Sequence, residues 1–288
     1  MKKNRLSVRE WVERILLAMV FVAVGVLIYL VFSPMRPLLS KTADYQGRLA
    51  LIVLLLVAVW LVRRSQRFEK YGQVMLGLLI MAIAVSIDRI FGIYLLVYLG
   101  ISDSAAAGWA ILKLNECFIV FCVVMTLTRM SGGSLGSIYL QKGNLKLGLI
   151  IGATTFLLAA AGSALMANFL FKGQDLTLER VLVWLPWLLV FVLANGAQEE
   201  LLFRGLFLRK LQPLFGRFLS NFLIMFVFTA LHKGADYASN DFIFLAAVVL
   251  LALAWGYITQ KTDSLWGAIL FHAGMDIPIM LGIFSNLK

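Results

Sequence analysis

The chain holds two histidines, His232 and His272, and both lie in its C-terminal part, close in sequence to carboxylates. Upstream of them runs Ala197-Gln198-Glu199-Glu200-Leu201-Leu202-Phe203-Arg204. On a helix, Glu200 and Arg204 stand at i and i+4, share a face and can pair. Glu199 is rotated about 100° away and is left without that partner. One carboxylate is then held by an arginine while the other is free to act as a base. His272 and Asp276 also stand four apart, one helical turn on one face. Pro213 and Gly216 predict a turn after the helix of Glu199. With its centre near Phe215, Glu199 lies sixteen residues before the turn and His232 seventeen after it, with Phe228 four residues earlier. An antiparallel hairpin then brings Glu199 and His232 to nearly the same height. The connection near Gln260 to Asp263 falls on the same side, and His272 stands roughly 15 Å beyond it at helical rise. Three helices are expected to converge on one polar cavity that opens to the cytoplasm, on the side of the basic 204–217 segment.

Three chemistries fit Glu, His, His and Asp in such a place. Histidines and a carboxylate can hold zinc with an open water position, although the chain has no His-Glu-x-x-His helix. Glu199 and His232 can instead activate water as a general-base pair, with His272 and Asp276 lining an oxyanion site. The same groups can carry ions or protons across a bilayer. The plainer alternatives are glutamates in an interfacial helix and a histidine that caps one. Asp44, Asp88 and Glu116 are also candidates as ionisable groups in apolar stretches, but they lack nearby histidines in sequence and are expected to be structural or interfacial. Cys117 and Cys122 have no metal-site spacing and give no reason to expect a disulfide.

The elements that must position these groups are membrane helices. Hydrophobic residues make up 61% of the 288 residues and charged ones 14%, with a mean hydropathy of +0.91. A soluble chain is roughly 45–50% apolar and about 25% charged. The apolar runs are continuous, which excludes a membrane β-barrel. The sequence predicts an all-α polytopic protein of eight or nine transmembrane helices, with a catalytic cavity between the C-terminal ones. Expected spans are 11–32, 45–62, 71–87, 107–128, 145–171, 181–211, 221–231, 242–257 and 265–284. Asp88 and Arg89 are expected to interrupt the third, with 90–99 a continuation or a re-entrant piece. The net charge of +11 sits between apolar blocks, as topology signals do, and so implies no nucleic acid. Lys2, Lys3, Arg5, Arg9 and Arg14 put the N-terminus on the cytoplasmic side, together with the 210–217 turn. The Ser131 to Gly136 stretch reads as a flexible linker. The absence of an internal repeat counts against many transporters. Residues 1–180 form N-terminal transmembrane helices, and residues 181–288 form the core that carries the candidate site.

The three elements resemble the motifs of the CAAX protease and bacteriocin-processing (CPBP) family of intramembrane proteases, which includes the type II CAAX prenyl endopeptidases. Glu199, Glu200 and Arg204 match Glu-Glu-x-x-x-Arg. Phe228 and His232 match Phe-x-x-x-His. His272 and Asp276 match His-x-x-x-Asn or Asp. The stretch Gly256-Tyr257 through Thr262-Asp263-Ser264-Leu265-Trp266 is also similar to the family, and the likeness spans Val181 to Phe284. The resemblance implies a glutamate-type intramembrane endopeptidase that needs no metal or other cofactor. Glu199 would be the general base and His232 its partner, with His272 and Asp276 at the oxyanion site and Glu200, Arg204 and Phe228 in support. Asp276 departs from the asparagine of the prenyl proteases, and an ionised aspartate cannot donate a hydrogen bond. The implied partners are a membrane peptide or protein substrate and the lipid bilayer. The charge layout and length resemble bacterial members, which places the chain in a bacterial cytoplasmic membrane. The other readings are a catalytically silent scaffold or immunity protein, and a transporter.

Overall fold

The computed structural model describes residues 7–33, 38–233 and 235–287, so Lys2, Lys3 and Arg5 of the basic flank lie outside the described residues. It is all-helical, with no strand among the described residues. α1 (Val8–Val26) opens on Ser7, whose hydroxyl accepts from the Glu10 N–H while the Glu10 carboxylate accepts from the Ser7 N–H. This reciprocal cap satisfies donors that a helix start otherwise leaves open. A π-turn, Leu27–Val31, follows. Next come α2 (Lys41–Arg64), α3 (Gly72–Phe91), α4 (Tyr94–Leu99), α5 (Ala106–Met130) and α6 (Leu145–Leu170). The C-terminal part holds α7 (Leu178–Glu200), a second π-turn (Leu201–Gly205), α8 (Leu206–Leu231), α9 (Asp241–Thr262) and α10 (Trp266–Ser285).

Eight helical stretches among the described residues are long and apolar enough to cross a bilayer, and the protein is an integral membrane protein. One of the eight, Leu178–Leu231, has 54 residues and is two spans folded together. The reversal falls at Gly216 (φ 78°, ψ 173°), a backbone conformation that glycine adopts without the penalty of a Cβ. Pro213, expected at the turn, lies inside the helix just before it. Across the hairpin the Phe203 and Phe228 rings meet edge-on at 5.0 Å. That register is the one that sets residue 199 level with residue 232.

Arg14 donates to the carbonyl of Leu214, so the start of α1 and the Gly216 turn share one end of the bundle. Arg67 to Glu13, Arg217 to the Gln260 carbonyl and Gln141 to Asp263 lie at the same end. The opposite end is tied by the Ser239 N–H to the Leu170 carbonyl and the Gln174 N–H to Ser285. The third span departs from expectation. α3 runs unbroken through Asp88 and Arg89 to Phe91, because Arg89 reaches Asp44 of α2 at 3.6 Å and Asp44 also accepts from Arg48 at 3.0 Å. With its charge paired across two helices, the segment need not unwind. α4 has six residues, too few to cross, and ends at Gly100. In the bundle α10 packs against α6, α7 and α9, α5 against α7, and α1 and α3 against α8.

Candidate active site

The site begins with a local irregularity. Directly after Glu200 the helix widens into the π-turn Leu201–Gly205, a feature frequent at functional positions. Arg204 still returns to Glu200, donating from Nη1 to Oε1 at 2.8 Å, and its Nη2 donates to the Ala252 carbonyl at 3.0 Å. Both side chains are fully buried. The guanidinium lies over the rings of Phe228 (4.5 Å) and Trp255 (5.3 Å), which cover the charge with π faces.

The same Glu200 oxygen meets Nδ1 of His272 at 2.8 Å. An ionised carboxylate only accepts, so Nδ1 donates. Trp255 stacks on the His272 ring, with centroids 4.0 Å apart and planes within 3°. Acceptor and stack together fix the imidazole. Its Nε2 then faces Oε2 of Glu199 at 3.6 Å and Oδ1 of Asp276 at 3.7 Å. Asn195 donates to the other Asp276 oxygen at 2.9 Å. Oε2 of Glu199 is buried and has no hydrogen-bond partner. His232 donates from Nδ1 to its own helix at the Phe228 carbonyl, 3.0 Å away. A neutral ring held that way presents Nε2 as an acceptor.

His232, His272 and Asp276 line one cavity of about 70 Å³, with Phe228 and Trp255 beside them. That is room for a few waters. The cavity lies between the C-terminal helices, as expected, and Met166, Leu170 and Phe171 of the α6 end add one wall to it. Its direction differs from expectation. The lining runs from the histidines toward Asn240, Ile243 and Phe244 at the start of α9, away from the Gly216 turn. Above this end sits Tyr237, whose phenol is pushed up from its ordinary value by burial and by the Glu199 and Asp276 carboxylates. It is a protonated donor at neutral pH.

Glu199, Glu200, Arg204, Phe228, His272 and Asp276 therefore form one contact network. His232 joins it through the Phe228 ring (4.6 Å) and the shared cavity, with no direct hydrogen bond to Glu199. Sequence reasoning missed Asn195, Trp255, Tyr237 and the Ala252 carbonyl. Asn195 carried a signal, since it stands four residues before Glu199 on the same helical face. The others arrive through tertiary packing and left none. Among the described residues no three His, Cys, Asp or Glu side chains converge as metal ligands.

Residues 181–278 match the family model described as Type II CAAX prenyl endopeptidase Rce1-like. The matched segment contains every residue of the network just described. The C-terminal part of this membrane protein is therefore CAAX-protease-like, as the three motifs indicate, and that family is one of proteases. No curated protein and no solved structure matches the chain.

Proposed function

We propose that the protein is a glutamate-type intramembrane endopeptidase, with residues 181–288 as its catalytic core and Glu199 as the general base. The observation that carries this reading is the pair of opposed histidines on one cavity. His272 has Nδ1 committed to Glu200 and its Nε2 turned to the free Glu199 and to Asp276. His232 has Nδ1 committed to a carbonyl and Nε2 open. Glu199 does not itself line the cavity but stands at the Nε2 edge of His272, which does. Water drawn from the cavity to that edge gives a proton to Glu199, with His232 accepting a hydrogen bond from it, and the water oxygen attacks the peptide carbonyl carbon. The oxyanion that forms takes donors from His272, protonated at Nε2, and from Tyr237. Glu199 returns the proton to the amide nitrogen, and the C–N bond breaks. Asp276 positions His272 and does not itself donate. No metal ion takes part.

The substrate is a peptide or membrane protein that reaches the cavity from the bilayer between α6 and α9. These helices are tied at both ends, by the Asn144 N–H to the Thr262 carbonyl and the Ser239 N–H to the Leu170 carbonyl, and the cavity lies between the ties. Met166, Ile243, Ala247 and Ile279 make its wall apolar. The basic groups Arg14, Arg63, Arg64, Arg67, Arg209 and Arg217 belong to the Gly216 end, which makes that end cytoplasmic by the positive-inside rule. The membrane is a bacterial cytoplasmic membrane. The test compares membrane peptides from cells carrying the wild-type chain and Glu199→Gln by mass spectrometry. Fragments that require Glu199 are expected and identify the cleaved bond. Glu199-dependent solute flux without any such fragment would replace the protease reading with transport.

A further inference from the structure

The two π-turns among the described residues meet at one ring contact. Tyr29, in the Leu27–Val31 turn that ends α1, stacks on Phe203, in the Leu201–Gly205 turn after Glu200, with centroids 4.9 Å apart and planes at 29°. Such turns are rare within helices and frequent at functional positions. Phe203 in turn meets Phe228 edge-on at 5.0 Å. Phe228 is a hub of the site. It touches the His232 ring at 4.6 Å and the His272 ring at 5.8 Å, and the Arg204 guanidinium lies over its face at 4.5 Å. Tyr29, Phe203 and Phe228 are all buried. A column of rings, Tyr29–Phe203–Phe228–His232, thus runs from the first helix into the site.

α1 lies along the hairpin in register with that column. Near the Gly216 turn Arg14 donates to the Leu214 carbonyl. Further along, Phe21 meets Phe207 edge-on at 4.9 Å. Gly25 follows, and a Cβ there would overlap Cγ1 of Val227, the residue before Phe228. Only a glycine lets the α1 backbone come this close beside the hub. These contacts hold α1 at successive heights and set where the Tyr29 ring stands.

We propose that Tyr29 is a positioning residue of the active site: its ring, braced by α1, backs Phe203 and Phe228 and so holds the His232 imidazole against the water it serves. The inference rests on His232 as the acceptor in the proposed hydrolysis. His232 is the histidine that needs this support. His272 is already fixed by the Glu200 acceptor and the Trp255 stack. His232 stands at the very end of α8 with one hydrogen bond, to the Phe228 carbonyl of its own helix. Aromatic pairs prefer particular geometries, and a close-packed interior transmits displacement, so a shift of the first ring reaches the last. The Tyr29 hydroxyl is buried and makes no hydrogen bond, which assigns the role to the ring.

The test follows isotope-labelled histidine by NMR in the purified full chain in detergent. Two histidines give two sets of ring signals, assigned with His232→Gln and His272→Gln. Tyr29→Leu fills the space without a ring. It is expected to move the His232 signals, because Phe228 shifts beneath that ring, and to leave those of His272 near wild type. Tyr29→Phe keeps the ring and should match wild type in both signals and fragment release. Gly25→Ala presses on Val227 and should move His232 as Tyr29→Leu does. Adding Val227→Ala leaves only the Val227 Cβ, 3.3 Å from the new methyl, and should restore the signals. In Tyr29→Leu and Gly25→Ala, kcat for release of Glu199-dependent fragments should fall on the order of 10- to 100-fold with KM near wild type, the scale of a small misplacement at a reacting group. It should return in the double variant. His232 signals that stay in place in Tyr29→Leu or Gly25→Ala would overturn the proposal. So would equal movement of both histidines with a lowered melting temperature, the mark of general loosening. Lost release in Tyr29→Phe would give the role to the hydroxyl and overturn it too. The NMR arm needs no substrate, so it decides the ring column whether or not Glu199 proves to be the base.

Discussion

Arg204→Met separates what holds the site from what it does. Methionine keeps most of the volume and removes the charge. Glu200 then stands fully buried with its carboxylate facing no arginine, and the Ala252 carbonyl loses its donor. Breaking a buried pair from one side costs about 3–5 kcal/mol, because the remaining charge is uncompensated. For a domain of this size each kcal/mol moves the melting temperature by about 2–4 °C, so a fall on the order of 10 °C is expected in detergent. Replacing both partners, Arg204→Met with Glu200→Leu, removes the orphan charge and should recover most of the stability, since apolar substitutes for a buried pair are often neutral. Activity should not recover, because His272 has then lost the acceptor that fixes Nδ1. The assay follows thermal unfolding and Glu199-dependent fragment release on the same preparations. A double variant no more stable than the single one would refute the electrostatic reasoning. An active double variant would show that Glu200 does not position His272.

Glu199→Gln should lower cleavage at least about 100-fold while insertion and yield stay at wild-type levels, since it removes only basicity; unchanged cleavage sinks the assignment. Gly196 sits where α7 meets α10, and a Cβ there would lie 3.0 Å from the Ile269 carbonyl and 3.1 Å from the Ala273 nitrogen. Gly196→Val should part the helices, cost about 1–3 kcal/mol by overpacking and abolish fragment release; a variant normal in melting and activity would show that this approach is not needed. Asp276→Asn keeps an acceptor for Asn195 and should retain cleavage, whereas Asp276→Ala should lose it; equal loss in both would make the carboxylate itself essential. Chelation should leave cleavage intact, and reversible loss with stoichiometric zinc would overturn a metal-free mechanism.

The fold was legible where one physical rule acted along the chain. Continuous apolar runs gave the helices, and the distance from the Gly216 region gave the hairpin register seen in the Phe203–Phe228 contact. The Glu200–Arg204 pair followed from four-residue spacing and survives even through a π-turn, whose extra residue no periodicity announced. The reading failed where partners come from distant elements. Asp88 and Arg89 look like a helix breaker until Asp44 of another helix answers the arginine. Trp255 was one more apolar residue of α9 until α10 laid His272 flat against it. The expected opening toward the Gly216 end assumed that the wet side follows the basic side. The wall supplied by the far end of α6 removes that link, because cavity shape is set by packing and basic residues by insertion.

Adjacent glutamates in one helix meet opposite fates here, and the geometry says why. Oε1 of Glu200 already accepts from Arg204 and from His272, both at 2.8 Å, and the side chain is fully enclosed. Taking up a proton there would oppose two donors aimed at the same oxygen, so Glu200 is suited to holding and unsuited to exchanging protons. Glu199, 100° round the helix, has a buried oxygen with no hydrogen bond to surrender and faces Nε2 of the imidazole that Glu200 orients. Proton uptake by Glu199 leaves every hydrogen bond of the network intact. In the proposed mechanism the base gains and loses a proton in each turnover, and of the two carboxylates Glu199 is the one whose hydrogen bonds do not hold the frame.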